Sequence, residues 1–400
     1  MLKKIKSNLV MKLILGVILG IILGLFASKE VMQIILTIKN ILGQIIFYSV
    51  PLVIIGFIAP SIANLKSNAS KMLGTAVLIA YVSSVGAAFF SCIAGYSIIP
   101  HLNINSQASN LKELPKIIFN LEIPAVMPVM TALVLALFLG LSVAWTKSST
   151  FENVLNEFQN MILGIVNKII IPILPFFIAG TFSSLAYEGT ITEHLPVFVK
   201  IIFIILIGHF IWLTVLYLLG GFISKQNPLE VIRHYLPAYL TAVGTMSSAA
   251  TLPVSLKCAN KSKILNKKIV DFVIPLGATI HLCGSVLTET FFVMTVSQLL
   301  YGYIPPVSIM ITFIVLLGIF AIGAPGVPGG TVMASLGLIT SILGFDQSGV
   351  GLVLTIFAIQ DSFGTACNVT GDGAIALMLT GIFRNRKKEI NEVRETINLS

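Results

Sequence analysis

Asp361 and Asp372 sit in the apolar stretch FAIQDSFGTACNVTGDGAIALMLTG (residues 357–381), and no lysine or arginine stands between Lys268 and Arg384 to pair with them. An aspartate held near a bilayer centre costs about 3 kcal/mol on insertion scales. A carboxylate retained at that cost is a cation-binding group, and its partner is either an organic ammonium or a hard alkali ion. Two further polar residues lie in a second apolar stretch. Glu289 follows Thr288 in LTETFF, and His281 opens HLCGS. Desolvation disfavours a charged carboxyl, so a carboxyl in an apolar helix can exchange a proton near neutral pH, and an imidazole titrates in the same range. The bland alternatives are a neutral Glu289 hydrogen-bonded to Thr288 or Thr290, and a packed neutral imidazole at His281.

The elements that must hold these groups are membrane helices. Of 400 residues 56% are hydrophobic and 10% are charged, a balance outside the range of soluble domains. Apolar runs of about 20 residues recur from end to end, where a β-barrel would show short alternating segments. Spans are expected at roughly 10–27, 36–63, 72–98, 117–146, 153–185, 195–223, 269–300 and 348–383. The basic start and apolar run of the N-terminus read as a first membrane helix rather than a cleaved leader. Cys92, Cys258, Cys283 and Cys367 fall in or beside apolar segments without metal or redox spacing, and read as reduced packing residues.

A formal net charge of +9 raises the question of nucleic acid, and the placement of the charges answers it. Lys3, Lys4 and Lys6, then Lys66 and Lys71, then Lys147, then Lys257, Lys261, Lys263, Lys267 and Lys268, and finally Arg384, Arg386, Lys387 and Lys388 flank alternate span ends. The intervening loops carry Lys29, Lys112 and Lys116, and no basic residue in 187–193 or 301–306. This asymmetry predicts a multi-pass cell-membrane protein with both termini in the cytoplasm. The excess charge is topological, and no nucleic-acid partner is implied.

Stretches 229–256 and 306–344 do not fit as simple spans. The first starts and ends beside basic residues, and the second has none at its flanks. Their centres, GTMSSAATLP (244–253) and GAPGVPGG (323–330), are small and polar. Glycine and proline at membrane depth leave backbone groups unpaired, which is tolerated against protein or a water-filled cavity. Two interrupted segments entering from opposite sides, each followed by a long span, are the trace of an inverted-repeat transporter; the alternative is a pair of kinked helices with packing glycines.

TMSSAATLPVS (245–255), IPLGATIHLCGS (274–285), GAPGVPGG (323–330) and NVTGDG (368–373) occur in the order and spacing of the dicarboxylate/amino acid:cation symporter family, the glutamate-transporter-like proteins. The likeness covers the whole second half; the first half agrees in span number and in the proline-bearing FYSVPLVIIGFIAPSIANL. The resemblance implies an all-α membrane protein of eight transmembrane helices plus two re-entrant helical hairpins in inverted repeats, working as an elevator-type homotrimer in the bilayer. It also implies a scaffold part at about 1–69 and 100–192, a transport part at about 70–99 and 193–383, and a cytoplasmic tail at 384–400.

Carried over residue by residue, the resemblance gives Asp361 the substrate ammonium. Asn368 takes the main-chain carboxylate and a backbone contact to sodium, and Asp372 takes the carboxylate of that sodium site. Ser247 and Ser248 meet the substrate carboxylate at the first hairpin tip, with helix-end capping as the alternative. Thr365, Gly326 and Val327 complete the substrate list, and His281 contributes to the sodium site through its backbone. Two arginines of acidic-substrate members are missing, their places taken by Gly364 and Met246. A second substrate carboxylate would then be buried without a cationic partner, at a cost of several kcal/mol. A neutral amino acid is therefore favoured, with an acidic amino acid or C4 dicarboxylate as the alternative; Gly364 could otherwise serve packing alone.

The family's NMDGT signature is HLCGS here. His281 and Cys283 replace the ligands of a deeper sodium site, and neither side chain suits Na⁺. Glu289 falls where proton-coupled members carry a proton, so the expected coupling ions are Na⁺ and, through Glu289 or His281, H⁺. An intramembrane aspartyl protease fits poorly, because eleven helical residues separate Asp361 from Asp372 by about 16 Å. Val369 also stands in place of the first glycine of a GxGD motif. A bare ion pore does not call for paired hairpins. The expected protein is a transporter and not an enzyme.

Overall fold

The computed structural model describes residues 9–64, 71–102, 112–189, 191–324, 326 and 328–398, with positions 9–10, 129–130, 191–195 and 385–398 described by backbone alone. Lys3, Lys4, Lys6 and Lys66 of the charge pattern, and Val327 of the candidate site, lie outside the described residues.

The chain is helical, and no strand occurs among the described residues. Its helices are α1 (Leu9–Phe26), α2 (Lys29–Ala63), α3 (Lys71–Ile98), α4 (Val129–Thr146), α5 (Ser149–Ile165), α6 (Ile171–Glu188), α7 (Ile191–Ser224), α8 (Leu229–Ile232), α9 (Leu236–Thr245), α10 (Ser248–Ala259), α11 (Lys267–Ile280), α12 (Cys283–Tyr301), α13 (Val307–Gly323), α14 (Gly330–Ser341) and α15 (Gln347–Asn398). Six stretches among the described residues are long and apolar enough to cross a membrane: Lys29–Ala63, Lys71–Leu102, Ser149–Glu188, Pro196–Ser224, Lys267–Tyr301 and Gln347–Arg384. With the shorter apolar helices beside them, they make this a multi-pass membrane protein.

Two sequence expectations need correction. The span placed at 117–146 is helical only from Val129 onward. Pro115, Pro124 and Pro128 fall in the preceding segment, which is non-helical despite its apolar residues. That segment is pinned to α2 by side chains: Ile118 N–H donates to Thr37 Oγ1 at 2.9 Å and Ile123 N–H to Gln44 Oε1 at 2.6 Å. The span at 269–300 is not continuous, because His281 and Leu282 are non-helical and separate α11 from α12. The span expected at 348–383 lies within the apolar stretch Gln347–Arg384, and the helix backbone continues beyond it through Asn398.

Helix contacts follow the small residues. Gly16, Gly20 and Gly24 recur at four-residue spacing along one face of α1. A Cβ at each would run into the backbone of Pro175, Ala179 and Ser183 on α6. Lipid tails are as apolar as leucine, so such close backbone approach, rather than burial of oil, drives membrane helices together. Ser183 Oγ adds a bond to Gly20 O at 3.0 Å. Helix α2 packs on α4, α5 and α6, while α15 packs on α7, α9, α11 and α12. A π-helical turn at Val166–Ile170 joins α5 to α6.

Helices α9 and α10 pack against each other, as do α13 and α14, so both irregular stretches are helix–turn–helix pairs. Met246 turns the first with φ +53°, a left-handed conformation unusual outside glycine. Gly329 turns the second with φ +70°.

Candidate functional site

The two hairpin tips meet. Ser247 caps α10, its Oγ accepting from Ala250 N–H at 3.2 Å. The same hydroxyl donates to Gly326 O at 2.6 Å, and Ala249 N–H reaches that carbonyl at 3.4 Å. Capping and tip contact are therefore the same side chain's work. A Cβ on Gly326 would lie 2.9 Å from Ala278 O and 3.4 Å from Ala249 N, so glycine lets the tip settle onto the end of α11. Ser248 and Met246 are both buried beside this contact.

Asp361 lies beneath the second tip. Its Oδ2 accepts from Gly329 N–H at 2.7 Å, and Thr365 Oγ1 is 3.5 Å from Oδ1. No ion pair to Asp361 occurs among the described residues. Helix α15 thus presents a buried carboxylate with one strong partner, a backbone N–H of the hairpin turn. An ammonium arriving between tip and helix finds there an anion with spare lone pairs.

The helix break between α11 and α12 organises the next layer. Breaking a helix frees amide donors at one end and carbonyl acceptors at the other. Asn368 satisfies the donors from α15: its Oδ1 accepts from Gly284 N–H at 2.7 Å and Ser285 N–H at 3.2 Å, while Nδ2 donates to Ser285 Oγ at 2.9 Å. On the other side, the carbonyl end of α11 carries the negative pole of the helix dipole. Asp372 packs there, in space that a Cβ on Gly277 would occupy. Backbone carbonyls plus a carboxylate are the donor set of a hard monovalent cation, and half-helix ends are where transporters bind them.

His281 is fully buried, and its ring is engaged at both nitrogens. Nδ1–H donates to Asp372 Oδ1 at 2.9 Å, and Nε2 lies 2.9 Å from Ser83 Oγ on α3. Hydroxyl, imidazole and carboxylate stand in the order of a hydrolase triad. All three are buried within helices or at the break, so the line fixes an imidazole rather than presenting a nucleophile. A Cβ on Gly371 would press on this ring at 2.8 Å. Ser83 gave no sequence signal, because serine is common in apolar helices and its partner is 198 residues away.

Glu289 is fully buried and accepts from Ser335 Oγ on α14, while its Oε2 has no partner. The expected partners differ: Thr288 Oγ1 instead meets His209, and Thr290 Oγ1 is unpaired. Glu289 thereby ties the second arm of the α13–α14 hairpin to α12. Gly364 faces the start of α12, where a Cβ would meet Ser285 Cα at 3.4 Å, an ordinary contact. Nothing in its backbone requires glycine, and Met246 likewise carries no charge into the site.

A family model described as the sodium:dicarboxylate symporter family matches residues 9–382. Among similar proteins, excitatory amino acid transporter 1 of Rattus norvegicus is 32% identical over 218 residues, 53% of this chain and 38% of the relative. Excitatory amino acid transporter 5 of Homo sapiens is 34% identical over 177 residues, 43% of this chain and 30% of the relative. Excitatory amino acid transporter 2 of Mus musculus is 26% identical over 243 residues, 59% and 42% respectively. The matched stretch thus spans less than half the length of each of these relatives. With the family match running over nearly all of the chain, and with paired hairpins, a broken helix and two buried aspartates in its fold, this chain belongs to the sodium:dicarboxylate symporter family.

Proposed function

We propose that the protein is a cation-coupled symporter that carries an amino acid across the cell membrane, with neutral substrates favoured. The observation that carries this reading is Asp361: a buried carboxylate at the meeting of two hairpin tips, with a backbone N–H as its main partner and no lysine or arginine between Lys268 and Arg384. Such a group suits an ammonium. The same lack of lysine and arginine leaves a distal substrate carboxylate unpaired, which disfavours dicarboxylates. The names of the relatives support an amino-acid substrate, and the family description supports sodium.

In this reading Ser247, Ser248, Gly326, Val327, Met246, Gly364 and Thr365 line the substrate, and Asn368 orients its main-chain carboxylate. Asp372 with carbonyls near His281 holds Na⁺ as a transported ion. Glu289, joined to Ser335 across the second hairpin, is the candidate proton carrier, and His281 the second. Eight spans and two re-entrant hairpins, a scaffold at about 1–69 and 100–192, a transport part at about 70–99 and 193–383, elevator motion, a homotrimer and cytoplasmic termini belong to the same proposal.

Counterflow in proteoliposomes against the twenty amino acids plus succinate and malate, under imposed Na⁺ or H⁺ gradients, tests it. Uptake of neutral amino acids driven by Na⁺ is expected, and Asp361→Asn should abolish it by removing the buried anion that meets the ammonium. Normal uptake by Asp361→Asn would show the residue to be structural.

A further inference from the structure

We propose that His209, on α7, is a positioning residue for the substrate and cation sites, acting through the peptide group of Gly284. The inference rests on the transporter reading above only for its effect on sodium; the geometry stands apart from it.

His209 is 1% exposed. Its Nε2 lies 3.1 Å from Gly284 O and 2.9 Å from Thr288 Oγ1. A carbonyl oxygen only accepts, so Nε2 carries the hydrogen. Nδ1 has no partner, and the ring is placed by its Nε2 contacts alone. Gly284 is the second residue of α12, one step past the break. Asn368 accepts from Gly284 N–H at 2.7 Å and from Ser285 N–H at 3.2 Å, and His209 holds Gly284 C=O, so the Gly284–Ser285 peptide is gripped from α15 at its N–H and from α7 at its C=O. No side chain could sit at this peptide, because a Cβ on Gly284 would run into Gly364 O and Cys367 Cβ.

The consequence is mechanical. Asn368 reads the first amides of α12, and the break places the carbonyl end of α11 beside Asp372. Both depend on where the first turn of α12 sits. A buried hydrogen bond left unmade on one side removes the restraint that the other side presumes. Loss of the His209 donor therefore loosens the break itself, leaving the helices on either side intact.

The test uses full-length protein in proteoliposomes, comparing His209→Leu, which removes the donor, with His209→Gln, whose amide N–H can restore it. Two readouts separate this inference from the transport reading. In a background with Cys92, Cys258 and Cys367 changed to alanine, the rate at which a membrane-permeant maleimide labels the buried Cys283 reports on the break without any substrate. His209→Leu should raise that rate at least tenfold, and His209→Gln should return it to within threefold of the parent. In transport assays the Na⁺ concentration for half-maximal uptake should rise at least tenfold in His209→Leu, more than the maximal rate falls, with the same rescue. Parent-like labelling in His209→Leu, or equal impairment of both variants, overturns the proposal. Should His209→Leu not fold, His209→Gln decides alone: parent-like labelling supports the donor role, and a tenfold rise overturns it. A parent without Na⁺-dependent uptake contradicts the transporter reading and leaves the labelling result to decide for His209.

Discussion

Asp361, Asn368 and Asp372 recur at spacings of seven and four along α15, and each meets a different backbone feature. Asp361 takes a hairpin amide, Asn368 the first amides of α12, and Asp372 the end of α11 together with His281. The sequence announced the three residues because polar groups in an apolar stretch are costly and therefore visible. It did not announce their partners. Ser83, His209 and Ser335 are ordinary residues until the fold brings them to His281, Gly284 and Glu289. Gly364 gives the sharpest test at this scale. A Cβ there meets the α12 backbone at 3.4 Å, so Gly364→Arg must displace what now fills that space and its expression is checked first; once folded, its guanidinium should offer a planar fork of donors to a second carboxylate. Aspartate uptake should appear in the variant, at least tenfold above the parent, once expression is matched. Unchanged rejection of aspartate by a folded variant would show that this position does not face the substrate's distal end.

Hydrophobic runs located most elements, because long apolar stretches leave little freedom in how a helix is placed. They misjudged two places where proline and polar backbone decide the local structure. Ile117–Phe119 looks like the start of a span, yet the proline-bearing segment 115–128 is non-helical and bonds to Thr37 through Ile118 and to Gln44 through Ile123. The break at His281–Leu282 lacks a glycine or proline at the breaking residues and is held from outside by Asn368 and His209. Its signal was tertiary. Gly16, Gly20 and Gly24 are regularly spaced, but only the fold shows that they meet α6. Gly20→Leu should lower the melting temperature in detergent by a few degrees or prevent folding, since its side chain has backbone in its way. Gly74→Leu on α3, with nothing within 4 Å of the added Cβ, should leave the melting temperature unchanged. Equal melting temperatures for both variants would show that α1–α6 contact does not support the fold.

At the scale of the molecule, α15 and the helices packed on it carry the buried carboxylates and histidines, Asp361, Asp372, Glu289, His209 and His281, while α1, α2 and α4–α6 pack on one another with buried hydroxyls and one buried lysine, Lys39, which donates to Ser184. Coupling then means that Na⁺ at Asp372 and an amino acid at Asp361 raise each other's affinity by the same factor, as linkage requires. Composition and long apolar runs made the membrane class readable from residues alone, and the motifs of the second half made the family readable. The substrate's side chain is less readable, because it depends on what the closed hairpin tips leave beside Gly364. The central claim is tested most directly by titration calorimetry of the purified protein with each neutral amino acid and with aspartate, in Na⁺ and in choline. The account predicts a neutral amino acid whose binding tightens at least tenfold in Na⁺, no binding of aspartate, and loss of the Na⁺ effect in Asp372→Asn. Tight aspartate binding by the unmodified protein, or neutral amino-acid binding of equal strength in Na⁺ and choline, would contradict it.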